Sequence, residues 1–287
     1  MKSMNQTANP DYIRISAGDN RVYTEIKELA KYKDLILLFV KRDFMVKYKQ
    51  TILGPLWIVL QPFITSLMYL FVFGGIAKID TAGVPGILFY TASNAMWGFF
   101  SSSLTSSAET FTANANLFGK VYFPRLTIPI ANTISSALRF FIEMILFLIL
   151  YVFFGFNAAL GGSLLAIPVI LLLLLYLGAF GIGSGIIISS MTVKYRDLRV
   201  LIGFGMQLWM YATPVVYPLK EITNPILRTL VLINPVSAPM ELFRKLLFGS
   251  GTVVPWSCLT SLIITTIMLF SGIRLFSRVE KTFIDTV

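Results

Sequence analysis

The chain alternates between long runs without charge and short clusters of Lys and Arg. The first charge-free run covers 51–77. The second, 81–108, is broken near its start by Gly83, Pro85 and Gly86. From 126 to 193 the only charges are Arg139 and Glu143, and this stretch breaks at Gly155, Asn157, Gly161 and Gly162. Runs at 200–219 and 252–273 complete the series. A helix crosses a bilayer with roughly 20 apolar residues. The pattern therefore predicts six spans, at about 54–77, 87–109, 126–154, 163–191, 200–218 and 253–274.

Two further segments are apolar without being spans. The run 229–240 has about half the length a span needs and carries Pro235 and Pro239. It predicts a re-entrant pair of short helices within 219–250, with backbone of a kind tolerated only where protein or water covers it. Ahead of the first span, Ile26, Leu29, Tyr32, Ile36, Leu37, Val40 and Phe44 recur at helical spacing. Lys27, Glu28, Lys31, Asp34, Lys41 and Arg42 fall on the opposite arc, while Lys33 and Asp43 break the pattern. The segment 1–50 is thus expected to end in an amphipathic helix lying in the membrane interface. Residues 280–287 are expected to form a short tail.

Composition agrees with this reading. Hydrophobic residues make up 56% of the 287 residues and charged residues 13%, against about a quarter charged in soluble domains. The chain is expected to be an all-α integral membrane protein. Its net charge is +10. In such a protein the excess is explained by Lys and Arg on cytoplasmic loops, without nucleic acid as a partner. An even number of spans puts both termini on one side. Most of the 24 Lys and Arg fall on that side, while the opposite side holds Lys78, Lys220, Arg228, Arg244 and Lys245. Both termini are therefore expected in the cytoplasm. The polar residues before Leu35 give no expectation of a secretory leader.

Several chemistries are disfavoured. The chain has no His, and its single Cys, Cys258, can form no disulfide within the chain. Imidazole acid–base catalysis is excluded, and a zinc or copper site is not expected. The outward acids Asp80, Glu221 and Glu241 are scattered, which argues against a membrane-bound glycan transferase. No G-x-x-x-x-G-K-[ST] loop is present, so ATP hydrolysis is not expected from this chain.

Candidate residues follow from position. Arg139 and Glu143 lie four apart within a span, where an isolated charge costs roughly 2.5–3.5 kcal/mol on insertion scales. They are expected to pair, as a structural pair or as part of a gate. Gly181, Gly183 and Gly185 would let helices approach closely. Tyr69, Phe73, Trp209, Tyr211 and Tyr217 could line a sugar path, since aromatic faces stack on sugars and polar tips bond hydroxyls. The alternative is that they belong to the aromatic belts of the interface. The cations Arg42, Lys47 and Lys49, at the mouth of the first span, could meet a lipid diphosphate or serve as positive-inside anchors.

The run Arg42-Asp43, Tyr48-Lys49, Leu53-Gly54, Trp57 and Pro62 resembles the start of ABC-2 type permeases that export polysaccharides. The loop ending Tyr122-Phe123-Pro124-Arg125, the stretch Lys194-Tyr195-Arg196-Asp197-Leu198-Arg199, and Thr213 to Pro218 with Asn234-Pro235 extend the resemblance over about 25–280. It implies a homodimeric permease with two cytoplasmic ATPase subunits, which use ATP and Mg while this chain binds no cofactor. It implies export of lipid-linked polysaccharide of the undecaprenyl diphosphate type, such as O-antigen, across a bacterial inner membrane. Teichoic acid, a small lipid or a drug is the alternative cargo, and a secondary transporter is the competing mechanism. By the same resemblance, Leu117, Phe118, Val121, Tyr122 and Arg125 would fit a cleft in the ATPase. Lys31, Arg42, Arg196 and Arg199 would also contact it.

Overall fold

The computed structural model describes residues 29–48, 52–118, 120–121, 123–155, 166–195 and 197–286. Side chains of Lys47, Tyr48 and 280–286 lie outside that description. Every regular element among the described residues is helical. The elements are α1 (Lys33–Tyr48), α2 (Trp57–Tyr69), α3 (Gly86–Ala108), α4 (Thr110–Ala113), α5 (Ala115–Phe118) and α6 (Thr127–Phe153). They continue with α7 (Ala166–Thr192), α8 (Leu198–Tyr211), α9 (Pro225–Ile233), α10 (Ser237–Phe248) and α11 (Pro255–Thr286).

Helix α3 is the core of the bundle. It packs against α7, α6 and α2, and α7 packs on its other flank against α11. Close approach at the α3–α7 crossing depends on glycine. A Cβ on Gly185 would stand 2.6 Å from the Leu104 carbonyl oxygen, and one on Gly183 would stand 2.7 Å from Leu269 Cα on α11. The glycines therefore serve two neighbours, with Gly181 and Gly185 facing α3 and Gly183 facing α11. Without a hydrophobic drive between helices in lipid, such backbone contact is what holds them together.

Among the described residues, four helices are long and apolar enough to cross a membrane: Gly54–Ile76, Thr127–Phe153, Ala166–Thr192 and Pro255–Val279. The bent pair α9–α10 brings the number to five if it is one span. The expected second and fifth spans are not among them. Helix α3 has 23 residues but is rich in Ser and Thr, and most of it is buried by its neighbours. Helix α8 has 14 residues, about 21 Å of length against a hydrocarbon core of about 30 Å. It stops at Tyr211 rather than at 218 because Pro214 has no N–H and its ring would meet the carbonyl of a preceding turn.

Three other features depart from the expected pattern. The first span changes register, as α2 continues into a π-helical turn at Leu70–Ile76 that contains Gly74 and Gly75. Pro62 lies inside α2, with Ser66 Oγ donating to its carbonyl at 2.9 Å. The last helix runs to Thr286, so the expected tail continues the helix of the last span. Helix α1 is not simply polar on its open side. Phe39 and Val40 are buried, yet Leu37, Leu38, Met45 and Val46 are exposed beside Lys31 and Lys41. One apolar face meets the protein and the other is mixed, as suits a helix at headgroup level.

Helices α9 and α10 form a hairpin bent by 92°. Asn224 caps α9, accepting from the Ile226 and Leu227 N–H groups, and Pro225 fills its first position. Helix α10 ends at Gly249 in a left-handed conformation, φ 73°. Tyr176 on α7 fixes the bend, its one hydroxyl proton shared between the Pro235 and Ser261 carbonyls, both at 3.0 Å, and its oxygen accepting from Thr265 at 2.8 Å. The bundle thus has two distinguishable ends. One carries α1, α4 and α5, and the other carries the hairpin.

Candidate functional site

At the α1 end, one aromatic cluster joins elements distant in sequence. Phe39 and Val40 of α1, Phe111 of α4, Phe118 of α5, Phe123, Leu126 and Phe276 of α11 share a core. Phe111 stacks on Phe276 with centroids 4.5 Å apart. Phe118 meets Phe111 at 6.0 Å and Phe123 at 5.8 Å, and Phe39 meets Phe123 at 5.8 Å. The Arg125 guanidinium lies 4.9 Å from the Phe118 ring, with the residue 5% exposed.

This geometry sorts the residues expected to contact an ATPase. Phe118 is 9% exposed and turned into the chain's own core, so its ring roots the α4–α5 elbow. Arg125 is buried with it, and Leu117 is half-buried. Val121 is 55% exposed and remains presented outward, as do Lys31 and Arg199. Arg42 is half-buried. Its Nη2 donates to Asp43 at 2.9 Å, and its guanidinium lies 4.8 Å from the Phe39 ring. Among residues expected to meet a diphosphate, Arg42 is therefore already engaged by its own helix. Tyr122, Arg196 and Lys49, with the Lys47 side chain, lie outside the described residues.

In the middle of α6, Arg139 Nε donates to Glu143 Oε1 at 2.8 Å. The Glu143 side chain is 4% exposed and that of Arg139 36%. The carboxylate faces α3, where a Cβ on Gly98 would stand 4.0 Å from Oε2. Below it the same helix pair is laced by hydroxyls and amides. Ser136 Oγ donates to Ser102 Oγ at 3.0 Å, and Asn132 Nδ2 to the Ser106 carbonyl at 3.3 Å.

At the hairpin end, Trp209, Tyr211 and Tyr217 come together around a cavity of about 640 Å³. Ile222, Leu227, Leu230 and Asn234 complete its wall. This volume is in the range of small-molecule sites. Asn234 organises it. Its Oδ1 accepts from Trp209 Nε1 and from the Val236 N–H, both at 3.1 Å, while Nδ2 donates to Thr213 Oγ1 at 2.8 Å and to the Ala212 carbonyl at 3.1 Å. Tyr217 donates to the Tyr211 carbonyl at 3.0 Å. Tyr69 and Phe73 do not line this cavity. They pack edge to face at 5.9 Å, and Tyr69 donates to Met210 Sδ at 3.1 Å.

The most buried charges of this end are Glu241, expected as one of the scattered outward acids, and Arg244, expected among the outward cations; their side chains are 3% and 1% exposed and pair at 2.8 Å. Their i, i+3 spacing on a short helix was the available signal.

The sequence profile of the ABC-2 type transporter family matches residues 34–248. The chain is also similar to proteins named as O-antigen export system permease RfbA. One from Klebsiella pneumoniae is 28% identical over 258 residues, covering 88% of this chain and 94% of that protein. Another from the same species is 27% identical over 253 residues, with 88% and 94% coverage. One from Myxococcus xanthus is 24% identical over 263 residues, covering 91% and 98%.

Proposed function

This chain belongs to the ABC-2 type transporter family, and on that premise we propose that it is the permease subunit of an ATP-driven exporter of lipid-linked polysaccharide. The observation that carries the reading is its similarity, over 88% of its length or more, to permeases named for O-antigen export. In this reading the chain forms the channel, and a separate pair of subunits hydrolyses ATP with Mg. The permease is a homodimer in a bacterial inner membrane, with both termini and the α1 end in the cytoplasm. Its six spans are the four long apolar helices with α3 and α8.

The buried aromatic cluster supports a mechanical route. Because α1, the elbow and α11 share one core, force on the exposed Val121 or Lys31 moves them together. Homodimer formation is supported by α8. Most of its residues are exposed, and Gly203 and Gly205 have open space beside them. Small residues on an open helix face let a second copy approach closely. The polymer's sugars would pass along Trp209, Tyr211 and Tyr217, with Tyr69 and Phe73 behind them. Its diphosphate would meet Lys47, Lys49 and the outer part of Arg42. The carrier lipid is of the undecaprenyl type.

Deleting the gene tests the reading. Cells without the chain should lose surface polysaccharide and accumulate it lipid-linked inside. Normal surface polymer in the deletion strain would contradict it.

A further inference from the structure

Helix α8 stops at Tyr211; the Ala212 and Thr213 N–H groups still reach the Leu208 and Met210 carbonyls, and the chain then runs from 214 to 218 outside any helix. Backbone carbonyls in such a stretch need donors, because an unsatisfied polar group in an apolar setting costs several kcal/mol. Arg244 supplies them. Nη2 donates to the Pro214 carbonyl and, at 2.9 Å, to that of Val215, while Nη1 donates to the Tyr217 carbonyl at 3.2 Å. Nε and Nη2 also reach Ser93 Oγ on α3, at 3.3 and 2.9 Å. The Phe89 ring lies 4.2 Å from the guanidinium carbon. Arg244 is 1% exposed and is the largest fully buried side chain described.

Glu241 completes the arrangement. Oε1 accepts from Arg244 Nη1 at 2.8 Å and from the Leu219 N–H at 3.4 Å, and Oε2 accepts from the Thr252 N–H at 2.8 Å. The segment bearing Thr252 comes this close because residue 251 is glycine. A Cβ there would meet the Glu241 carbonyl oxygen at 1.9 Å. One ion pair thus ties α10 to α3, to 214–219 and to the chain entering α11.

We propose that Glu241–Arg244 is the positioning element of the hairpin-end passage. It fixes the non-helical backbone that follows Tyr211 and carries Tyr217, and so sets the width of the cavity these two residues line. An apolar pair of similar volume is often easier to bury than an ion pair. Apolar side chains cannot, however, satisfy three carbonyls of one irregular segment at once. The guanidinium's planar fork can, and a lysine ammonium reaches fewer of them. The role in transport rests on the export reading above, whereas the effect on cavity geometry does not.

The experiment uses the full-length chain with Cys258→Ser and Ala212→Cys, which puts one thiol on the cavity wall. Its labelling by a membrane-impermeant maleimide is timed in cells, alongside membrane abundance and surface polysaccharide. Arg244→Lys should accumulate near the parent level. Its labelling rate should change about fivefold or more and its export should fall about tenfold, the scale of losing one or two charge-assisted hydrogen bonds. Parent labelling and parent export in Arg244→Lys would overturn the proposal.

If Arg244→Lys does not accumulate, the apolar pair Glu241→Leu with Arg244→Met decides. Normal abundance with altered labelling and lost export supports positioning. Normal abundance with normal labelling and export reduces the pair to a replaceable strut and overturns the proposal. Failure of both variants to accumulate also overturns it, because the pair would then be a folding requirement with no separable role. Altered labelling where the parent itself exports no polysaccharide would sink the export reading and leave the positioning role standing.

Discussion

Phe118 ends the α4–α5 elbow and is buried, whereas Val121, three residues on, is exposed, so they separate anchoring from docking. Phe118 is 9% exposed, with Phe111, Phe123 and Arg125 around its ring. Phe118→Ala removes a large buried side chain, which in cores costs roughly 3–5 kcal/mol. Part of that is the loss of two aromatic pairs, each worth about 0.5–1.5 kcal/mol beyond area. Val121 is 55% exposed, and surface changes of its kind stay within about 0.5 kcal/mol. The permease purified in detergent without its ATPase, and heated while its monodisperse fraction is followed, reads stability alone. Phe118→Ala should lower the midpoint by at least about 6 °C, taking about 2 °C per kcal/mol. Val121→Asp should leave the midpoint unchanged and yet abolish co-purification of the ATPase. Phe118→Ala melting with the parent would refute the assignment of its ring to the core. Val121→Asp retaining the ATPase would refute the assignment of the outward face to docking.

Other expectations bear on the bundle and the cavity. Gly185→Ala puts a methyl 2.6 Å from a backbone oxygen of α3 and must spread the crossing. It should cost about 1–3 kcal/mol, visible as a lower melting midpoint, whereas a parent midpoint would show the crossing to be loose. Arg139→Leu leaves a 4%-exposed carboxylate without its partner, at about 3–5 kcal/mol. Membrane abundance should fall and should recover in Arg139→Leu with Glu143→Leu. A double variant that accumulates yet exports nothing would move the pair from structure to transport. Asn234→Ala removes the four hydrogen bonds that hold Trp209 and 212–213 to the bend and leaves the N–H of buried Val236 unpaired, at about 1–3 kcal/mol. It should slow export and alter tryptophan fluorescence, and an unchanged emission spectrum would contradict the role given to the amide.

What the sequence disclosed followed from periodicity and cost. Charge-free runs located α2, α6, α7 and α11, because lipid forbids charges and rewards length. The Arg139–Glu143 pairing was legible because two opposite charges four apart at membrane depth have one inexpensive arrangement. Helix α3 was legible as a charge-free run. Its centrality was not, because Ser and Thr that face protein read like Ser and Thr that face water. The two faces of α1 were also hidden. Leu37 and Phe39 are both apolar, and only the position of the neighbouring core decides that one is exposed and the other buried. The burial of Phe118 is not legible either, because aromatics near an interface suit partner and core equally. Arg244 was counted among outward charges because one-dimensional bookkeeping cannot see three carbonyls arriving from a broken helix 30 residues earlier.

In the proposed function this chain conducts lipid-linked polysaccharide under the drive of a separate ATPase. Purified permease and ATPase, reconstituted into vesicles with the lipid-linked polymer, test it directly through access of an external sugar-specific probe. ATP added on the ATPase side should move polymer across, and permease alone should not, with or without an ion gradient. Movement that persists without the ATPase and collapses with the gradient would contradict the account, as would ATP hydrolysis with no polymer crossing.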